Sequence, residues 1–542
     1  MRAARHDLAF ALRDTRGGSS AFKVTAFGDA RSVSTPPRPI RPASAAGPTE
    51  DPAELPQGLG VVSRVGRGTI ISWLSWAGSR VLTLLTLVLL TRVLSPSGLG
   101  EVLSALATGV LGASVAMGGL PDALTRNAAA SEDESGFGRG DVVRAMARFG
   151  VTLPGIALLI ILIAGASSGS ANLGLISAGF LLAVTQGATT IIASIYRARG
   201  QAGRFALVNT VMASVGRTVV AGGVYLVGAD ARTVLWLFVA LNVGVILLTW
   251  RPAMSGLSNS QARPAGQGAM QLGGIVWSLM GNLDLVAVGV LLGAGAAGMY
   301  GAALRVAEVS IQFLVAVSVI YLPEATRLAV LGRNAALASL YRTTSRWATL
   351  ITVLAAGVGF ISAPELARIV FPSNSGTDAS LMRILFVGYA VHGALGQTYS
   401  TLLALGAYRG IWRSSIVSLP IILAGTVGLT AAFGTEGAAW STCLAYALTG
   451  LWWAWQVNRS LGAVPFDEFY LRALGAAACS LVVAAVASRL GSGLPAVATV
   501  AVIMLAATAT WTLTVLLGGG LSPEERSAAA RLRGRLRSPK PS

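Results

Sequence analysis

Seven ionisable side chains stand inside apolar runs long enough to cross a bilayer, and these are the residues best placed to do chemistry. They are Arg80, Arg217, Asp284, Arg305, Glu308, Arg383 and His392. A charge deep in hydrocarbon is costly and is normally kept where it faces a cavity or a partner. Arg80 and Arg217 fall about midway along their runs, where a long side chain cannot snorkel to the interface. A guanidinium is a planar fork that matches paired phosphate oxygens. Arg305 and Glu308 are spaced i, i+3 and share one helix face. They form an ion pair that either sets the helix position or lines a cavity. Asp284 follows Asn282 near the inner third of its run. It suits either a structural pairing with an Arg across an interface or the binding of a coupling cation or proton. Arg383 lies near a run's outer end, where snorkelling accounts for it. His392 has no acidic residue four positions away and reads as either a hydrogen-bonded packing residue or a proton relay.

Other chemistries find no residues to carry them. Cys443 and Cys479 lie inside apolar runs and read as small hydrophobes. No Cys or His cluster has metal-ligand spacing. Neither a Gly-rich phosphate loop nor a nucleophile constellation is present. We therefore expect no metal, no cofactor and no enzymatic activity.

The elements that must position the charges are helices. The chain has 542 residues, 54% hydrophobic and 12% charged, where soluble domains carry about 25% charged residues. A spanning helix needs about 20 apolar residues. Fourteen runs meet this pattern, near 69–90, 100–120, 147–166, 172–195, 206–228, 232–250, 271–292, 298–322, 347–364, 381–404, 412–433, 437–457, 472–489 and 494–517. The fold class is all-α, a polytopic membrane protein of about 14 helices. The run at 472–489 is the weakest, being short and Ala-rich.

The charge between runs orients them. The net charge is +18, which in a soluble protein would suggest nucleic acid. Here the Arg residues sit in short links and tails, so the expected electrostatic partner is the anionic cytoplasmic leaflet and not nucleic acid. Links following even-numbered runs are rich in Arg, while the others carry only Arg92, Arg232, Arg368 and Arg489. The positive-inside rule then places both termini in the cytoplasm of a plasma-membrane protein. Residues 1–66 lack any 2.0 or 3.6 period and are expected to be a disordered basic tail. Residues 67–252 should form a first lobe of six spans and 253–460 a second. Residues 461–517 supply two further spans, and 518–542 a basic tail. Trp73, Trp76, Trp236, Trp250, Trp452, Trp453 and Trp455 cluster toward run ends, as an interfacial belt would.

An internal repeat supports two lobes. SPSGLGEVLSALA (95–107) followed by GGLPDALTR (118–126) resembles GAGAAGMYGAALR (293–305) followed by IYLPEATR (320–327), with Gly98 aligned on Gly298. YRARGQAGRF (196–205) is echoed by LALGAYRGIW (403–412). Six spans precede the second copy, so both copies share one orientation. That gives two parallel six-helix lobes plus two extra C-terminal helices.

These segments carry a family resemblance. LLTLVLLTRVLSPSGLGEVLSALATGVLGASVAMGGLPDALTR (84–126) resembles the opening of the polysaccharide-export flippases of the MOP superfamily. NLDLVAVGVLLGAGAAGMYGAALRVAE (282–308) is similar to that family's seventh and eighth helices, with Asp284, Gly298, Tyr300, Ala303 and Arg305 in place. The resemblance covers about residues 65–515. It implies a two-lobed, V-shaped transporter that alternates between inward and outward states, working as a monomer on membrane lipids. It also implies a lipid-linked oligosaccharide on polyprenyl pyrophosphate, flipped from cytoplasm to outside. Arg80, Arg217 and Arg305 are then the expected substrate-binding residues. Asp284 and Glu308 are the candidates for coupling to a cation or proton. Two relatives of the same superfamily define the alternatives: a lipid II-type flippase and a cation-coupled multidrug antiporter.

Overall fold

The computed structural model describes residues 78–117, 173–255, 267–371, 379–464, 468–491 and 493–517, together with scattered positions between 121 and 150 and residue 257. The two tails, the start of the first run and nearly all of the run at 147–166 lie outside the described residues. Among the described residues every element is helical. The first two helices are α1 (78–93) and α2 (Pro96–Met117), followed by α3 (Leu173–Ala198) and α4 (202–227). α4 contains a π turn at Leu207–Val211. Next come α5 (Ala231–Met254), α6 (Gln267–Leu292) and α7 (Ala294–Val330), the last crossed by a 3₁₀ turn at Glu308–Ile311. α8 (Asn334–Ile361), the short α9 (Ala363–Val370) and α10 (Ala379–Ala404) follow. The segment Tyr408–Leu461 is two helices meeting at a kink at Gly434, here α11 (408–433) and α12 (435–461). α13 (Glu468–Leu490) and α14 (Ala496–Leu517) end the series.

Thirteen of the fourteen apolar runs thus appear as helices, including the Ala-rich run at 472–489. Nine described helices are long and apolar enough to cross a membrane. Their outward faces carry bare aliphatic side chains, such as Leu490 at 83% and Leu517 at 78% exposure. Water does not tolerate that surface and lipid does, so the chain is a multi-pass membrane protein. α7 and α8 run well into the link expected between 322 and 347 and meet at a turn around Gly332. Arg327, Arg342 and Arg346 of that link therefore stand on helices and Arg333 lies in the turn; Arg327 pairs with Glu324 at 2.9 Å. The short α9 is an added element. Pro364 and Glu365 open it, a Pro suited to the first helical turn and an acid suited to the N-terminal dipole.

Helices do not associate in lipid through a hydrophobic drive; close packing of small residues and polar contacts hold them. α2 is central, packing against α3, α6 and α7. Its crossing with α7 is a backbone contact. A Cβ on Gly298 would strike the Pro96 carbonyl and lie 3.0 Å from the Gly100 nitrogen. A Cβ on Gly100 would strike the Ala294 carbonyl and lie 2.9 Å from the Gly298 nitrogen. The two contacts correspond, each Gly meeting the carbonyl four residues before the other. Ser278 on α6 adds a hydrogen bond to Ser114 on α2 at 2.8 Å. α13 and α14 pack on each other and on α8 and α9.

Candidate functional site

The sequence scattered Arg80, Arg217, Arg305 and Glu308 over 228 residues; the fold gathers them. Arg80 Nη2 on α1 lies 3.1 Å from a Glu308 carboxylate oxygen on α7. Arg305 Nη1 reaches the other oxygen at 2.8 Å, as its i, i+3 spacing anticipated. Arg217 on α4 stands within Coulombic range of both Arg80 and Arg305. The side chains of Arg80, Arg305 and Glu308 are each about one fifth exposed, so the group is neither sealed in a core nor facing bulk solvent. Among the described residues the three guanidiniums face Glu308 and, through Arg305, the more distant Asp284, so cations outnumber carboxylates in a low-dielectric setting.

Local packing explains why the cations stay together. α1 and α4 are clamped by hydroxyls flanking the two Arg residues. Ser79 and Ser214 hydrogen-bond to each other, Thr86 bonds Thr218 at 2.9 Å, and Thr218 donates to the Leu82 carbonyl at 3.0 Å. Arg217 Nη2 donates to Gln186 on α3 at 3.1 Å, and its guanidinium sits 5.8 Å from the Phe238 ring on α5. A neutral amide and a ring face hold the cation without cancelling its charge. Glu308 opens the 3₁₀ turn of α7, where the helix is wound more tightly. Such mid-helix turns mark hinges or strain.

Asp284 occupies a different environment. It is 2% exposed and accepts hydrogen bonds from Tyr300 at 2.6 Å, Thr442 at 2.7 Å and the Leu285 N–H at 2.8 Å. It ties α6, α7 and α12 together. Arg383 lies 5.6 Å from the Phe360 ring. His392 is packed between Trp277 and Tyr446, with ring centroids 4.9 and 4.3 Å away, and its buried Nε2 has no hydrogen-bond partner among the described residues.

A second feature went unread in the sequence. A cavity of about 220 Å³ opens among α6, α7, α10 and α12, with Arg197 of α3 at its wall. Trp277, His392, Tyr399, Tyr446 and Trp453 give it an aromatic lining. Trp277 and Tyr399 are nearly parallel, 6.2 Å apart, and Tyr399 lies 4.9 Å from Trp453. Trp453, assigned to the interfacial belt from its position, is instead 2% exposed and donates to Ser414 at 3.0 Å. The signal in the sequence was Trp277, a tryptophan inside the run at 271–292 that was not assigned to the interfacial belt. α10 breaks beside this cavity, at Leu395–Gln397. Gly396 has φ +62°, and any side chain there would strike Ser345.

Comparison with known proteins adds the following. No protein-family model matches the chain. A curated relative, the "Probable low-salt glycan biosynthesis flippase Agl15" of Haloferax volcanii, is 26% identical over 249 residues, 43% of this chain. The chain spans about half the length of that relative. Among solved structures, "Lipid II flippase MurJ, inward closed conformation" superposes with a TM-score of 0.59 at 11% identity, covering 82% of this chain and 99% of the other. A "multidrug resistance MATE family transporter of the MOP superfamily" in an inward-facing conformation gives 0.51 at 17% identity, covering 71% of this chain and 98% of the other. At these identities the likeness establishes the fold alone, a helical membrane fold shared with these two structures.

Proposed function

We propose that this chain, which has the fold of the MOP-superfamily transporters, moves a polyprenyl-pyrophosphate-linked oligosaccharide from the cytoplasmic to the outer leaflet for polysaccharide or glycan assembly. The observation that carries the reading is the convergence of Arg80, Arg217 and Arg305 on one partly open site with a net charge opposite to that of a pyrophosphate. Guanidinium forks bind phosphate oxygens bidentately, and low dielectric strengthens the contact. The relative named as a glycan biosynthesis flippase supports the same substrate class. Both termini lie in the cytoplasm of a plasma-membrane protein on the Arg distribution of the links. The lobes are assigned to 67–252 and 253–460, with 461–517 as an appended pair of spans.

The mechanism follows from the ion pairs. Without substrate, Glu308 bridges Arg80 and Arg305 across α1 and α7. A diphosphate competes for the same guanidiniums, releases Glu308 and loosens the tie between the helices that carry it. Loss of that tie, at the 3₁₀ hinge of α7, lets the two halves rock. A carboxylate freed on each cycle is also the natural acceptor for a coupling proton or cation, so Glu308 is the better-placed coupling residue. Asp284, saturated by three donors, anchors the second half.

The lipid II alternative draws on the 0.59 superposition with the MurJ structure. A multidrug antiporter is disfavoured because a site with more guanidiniums than carboxylates repels cationic drugs. Proteoliposomes carrying fluorescent polyprenyl-pyrophosphate disaccharide, lipid II or a cationic dye separate the three. We expect leaflet exchange of the disaccharide lipid and no dye extrusion. Exchange of lipid II alone, or dye extrusion with a static disaccharide lipid, overturns the assignment.

A further inference from the structure

The pyrophosphate reading accounts for the charged cluster and leaves the aromatic cavity unused. We infer that this cavity is a saccharide platform, on which a sugar ring of the lipid-linked glycan stacks while the guanidiniums hold its pyrophosphate; the inference rests on the proposed function. Four observations converge on it. Trp277 lines the cavity and is 39% exposed, so part of its ring can be reached by a ligand. Trp277 and Tyr399 are inclined by only 20°, a shape suited to the flat, C–H-rich face of a pyranose. His392 lines the same wall with a buried Nε2 that has no partner among the described residues, a polar atom placed to meet a sugar hydroxyl.

The fourth observation is backbone. Irregular backbone at membrane depth is tolerated where it lines a cavity. α10 unwinds at Leu395–Gln397, and those residues line this cavity. The loosened turn is held deliberately: Gln397 donates from its backbone to Ser345 at 3.1 Å and from its side chain to the Leu314 carbonyl at 3.0 Å, while Thr349 donates to the Gly393 carbonyl at 3.0 Å. The position along the chain also fits. Leu314 and Val315 line the cavity six and seven residues beyond Glu308 on α7, which places the platform about 10 Å along the helix axis from the charged cluster. A pyrophosphate bound at the cluster would hold its first sugars in reach of the rings. An aromatic cage also suits an organic cation, but Arg197 at the cavity wall disfavours that occupant.

The test compares two lipids on the full-length protein in nanodiscs: polyprenyl pyrophosphate, and polyprenyl pyrophosphate carrying a hexose disaccharide. Wild type should bind the disaccharide lipid about tenfold more tightly, Trp277→Leu should bring the ratio of the two dissociation constants near one, and Trp277→Phe should keep most of it. A ratio near one in the wild type, or an unchanged ratio in Trp277→Leu, overturns the platform while leaving the pyrophosphate site standing. Binding of neither lipid by the wild type overturns the proposed function and the platform together. A measurement on unaltered protein covers the case in which Trp277→Leu does not insert. A diazirine on the disaccharide should crosslink to peptides containing Trp277 or residues 392–399, and crosslinks confined to other helices contradict the platform. Tetraphenylphosphonium displacing the disaccharide lipid without displacing the bare pyrophosphate lipid assigns the cage to cations and also contradicts it.

Discussion

At the residue scale the account stands on three guanidiniums and one carboxylate. Each Arg lost from a charge-assisted contact should weaken polyprenyl-pyrophosphate binding by ~1.5–3 kcal/mol, roughly tenfold to a hundredfold in Kd. Arg217→Gln is the cleanest variant, because Arg217 leans on Gln186 and Phe238 rather than on Glu308. Titration calorimetry on purified protein reads the loss. Arg217→Lys should fall between wild type and Arg217→Gln, since a point charge lacks the fork. Glu308→Gln removes the counter-charge of Arg80 and Arg305. The ligand-free protein should then melt lower, and pyrophosphate should raise its Tm more than it raises that of the wild type. An Asp284→Ala variant should lower Tm through three orphaned donors, at about 1–3 kcal/mol for each buried group, while leaving the pyrophosphate Kd close to wild type. A large loss of pyrophosphate affinity in that variant would move Asp284 from anchor to site.

At the element scale the fold rests on backbone crossings that only glycine permits. Gly298 faces the Pro96 carbonyl and Gly100 faces the Ala294 carbonyl, so a single methyl forces α2 and α7 apart. Gly298→Ala should destabilise the protein by about 1–3 kcal/mol, the range for overpacking a close contact, read as a lower Tm. Asp230, outside the spans, caps α5 by accepting from the Thr233 hydroxyl at 2.5 Å and the Thr233 N–H at 3.0 Å, and these bonds hold its carboxyl below the usual range. Its stabilising effect is present above the unfolded carboxylate pKa and lost as pH falls through the lower folded value, so Asp230→Ala should lower Tm at neutral pH and converge on wild type in acid.

The helices themselves were legible, because about 20 apolar residues between Arg-rich links admit few alternatives. The i, i+3 pairing of Arg305 with Glu308 was legible for the same reason, being a property of one helix. The meeting of Arg80 with Glu308 was not, since it depends on how α1 and α7 are apposed, 228 residues apart. The aromatic cavity escaped notice because Trp453 near a run's end looks like an interfacial residue until its packing against Ser414 is seen.

At the scale of the whole molecule, charge, packing and hinge form one device. The ion pairs link α1 to α7, the glycine crossing links α2 to α7, and the 3₁₀ turn lies between the residues that make these contacts and the cavity-lining part of α7. A diphosphate that exchanges places with Glu308 therefore acts where the two halves meet. The most direct measurement is the rate at which a fluorescent polyprenyl-pyrophosphate disaccharide crosses between leaflets in proteoliposomes, for the wild type and for Arg80→Gln, Arg217→Gln and Arg305→Gln. The account predicts exchange by the wild type and a fall of about tenfold or more in each variant, with membrane insertion unchanged. Exchange at the wild-type rate in all three variants would contradict it.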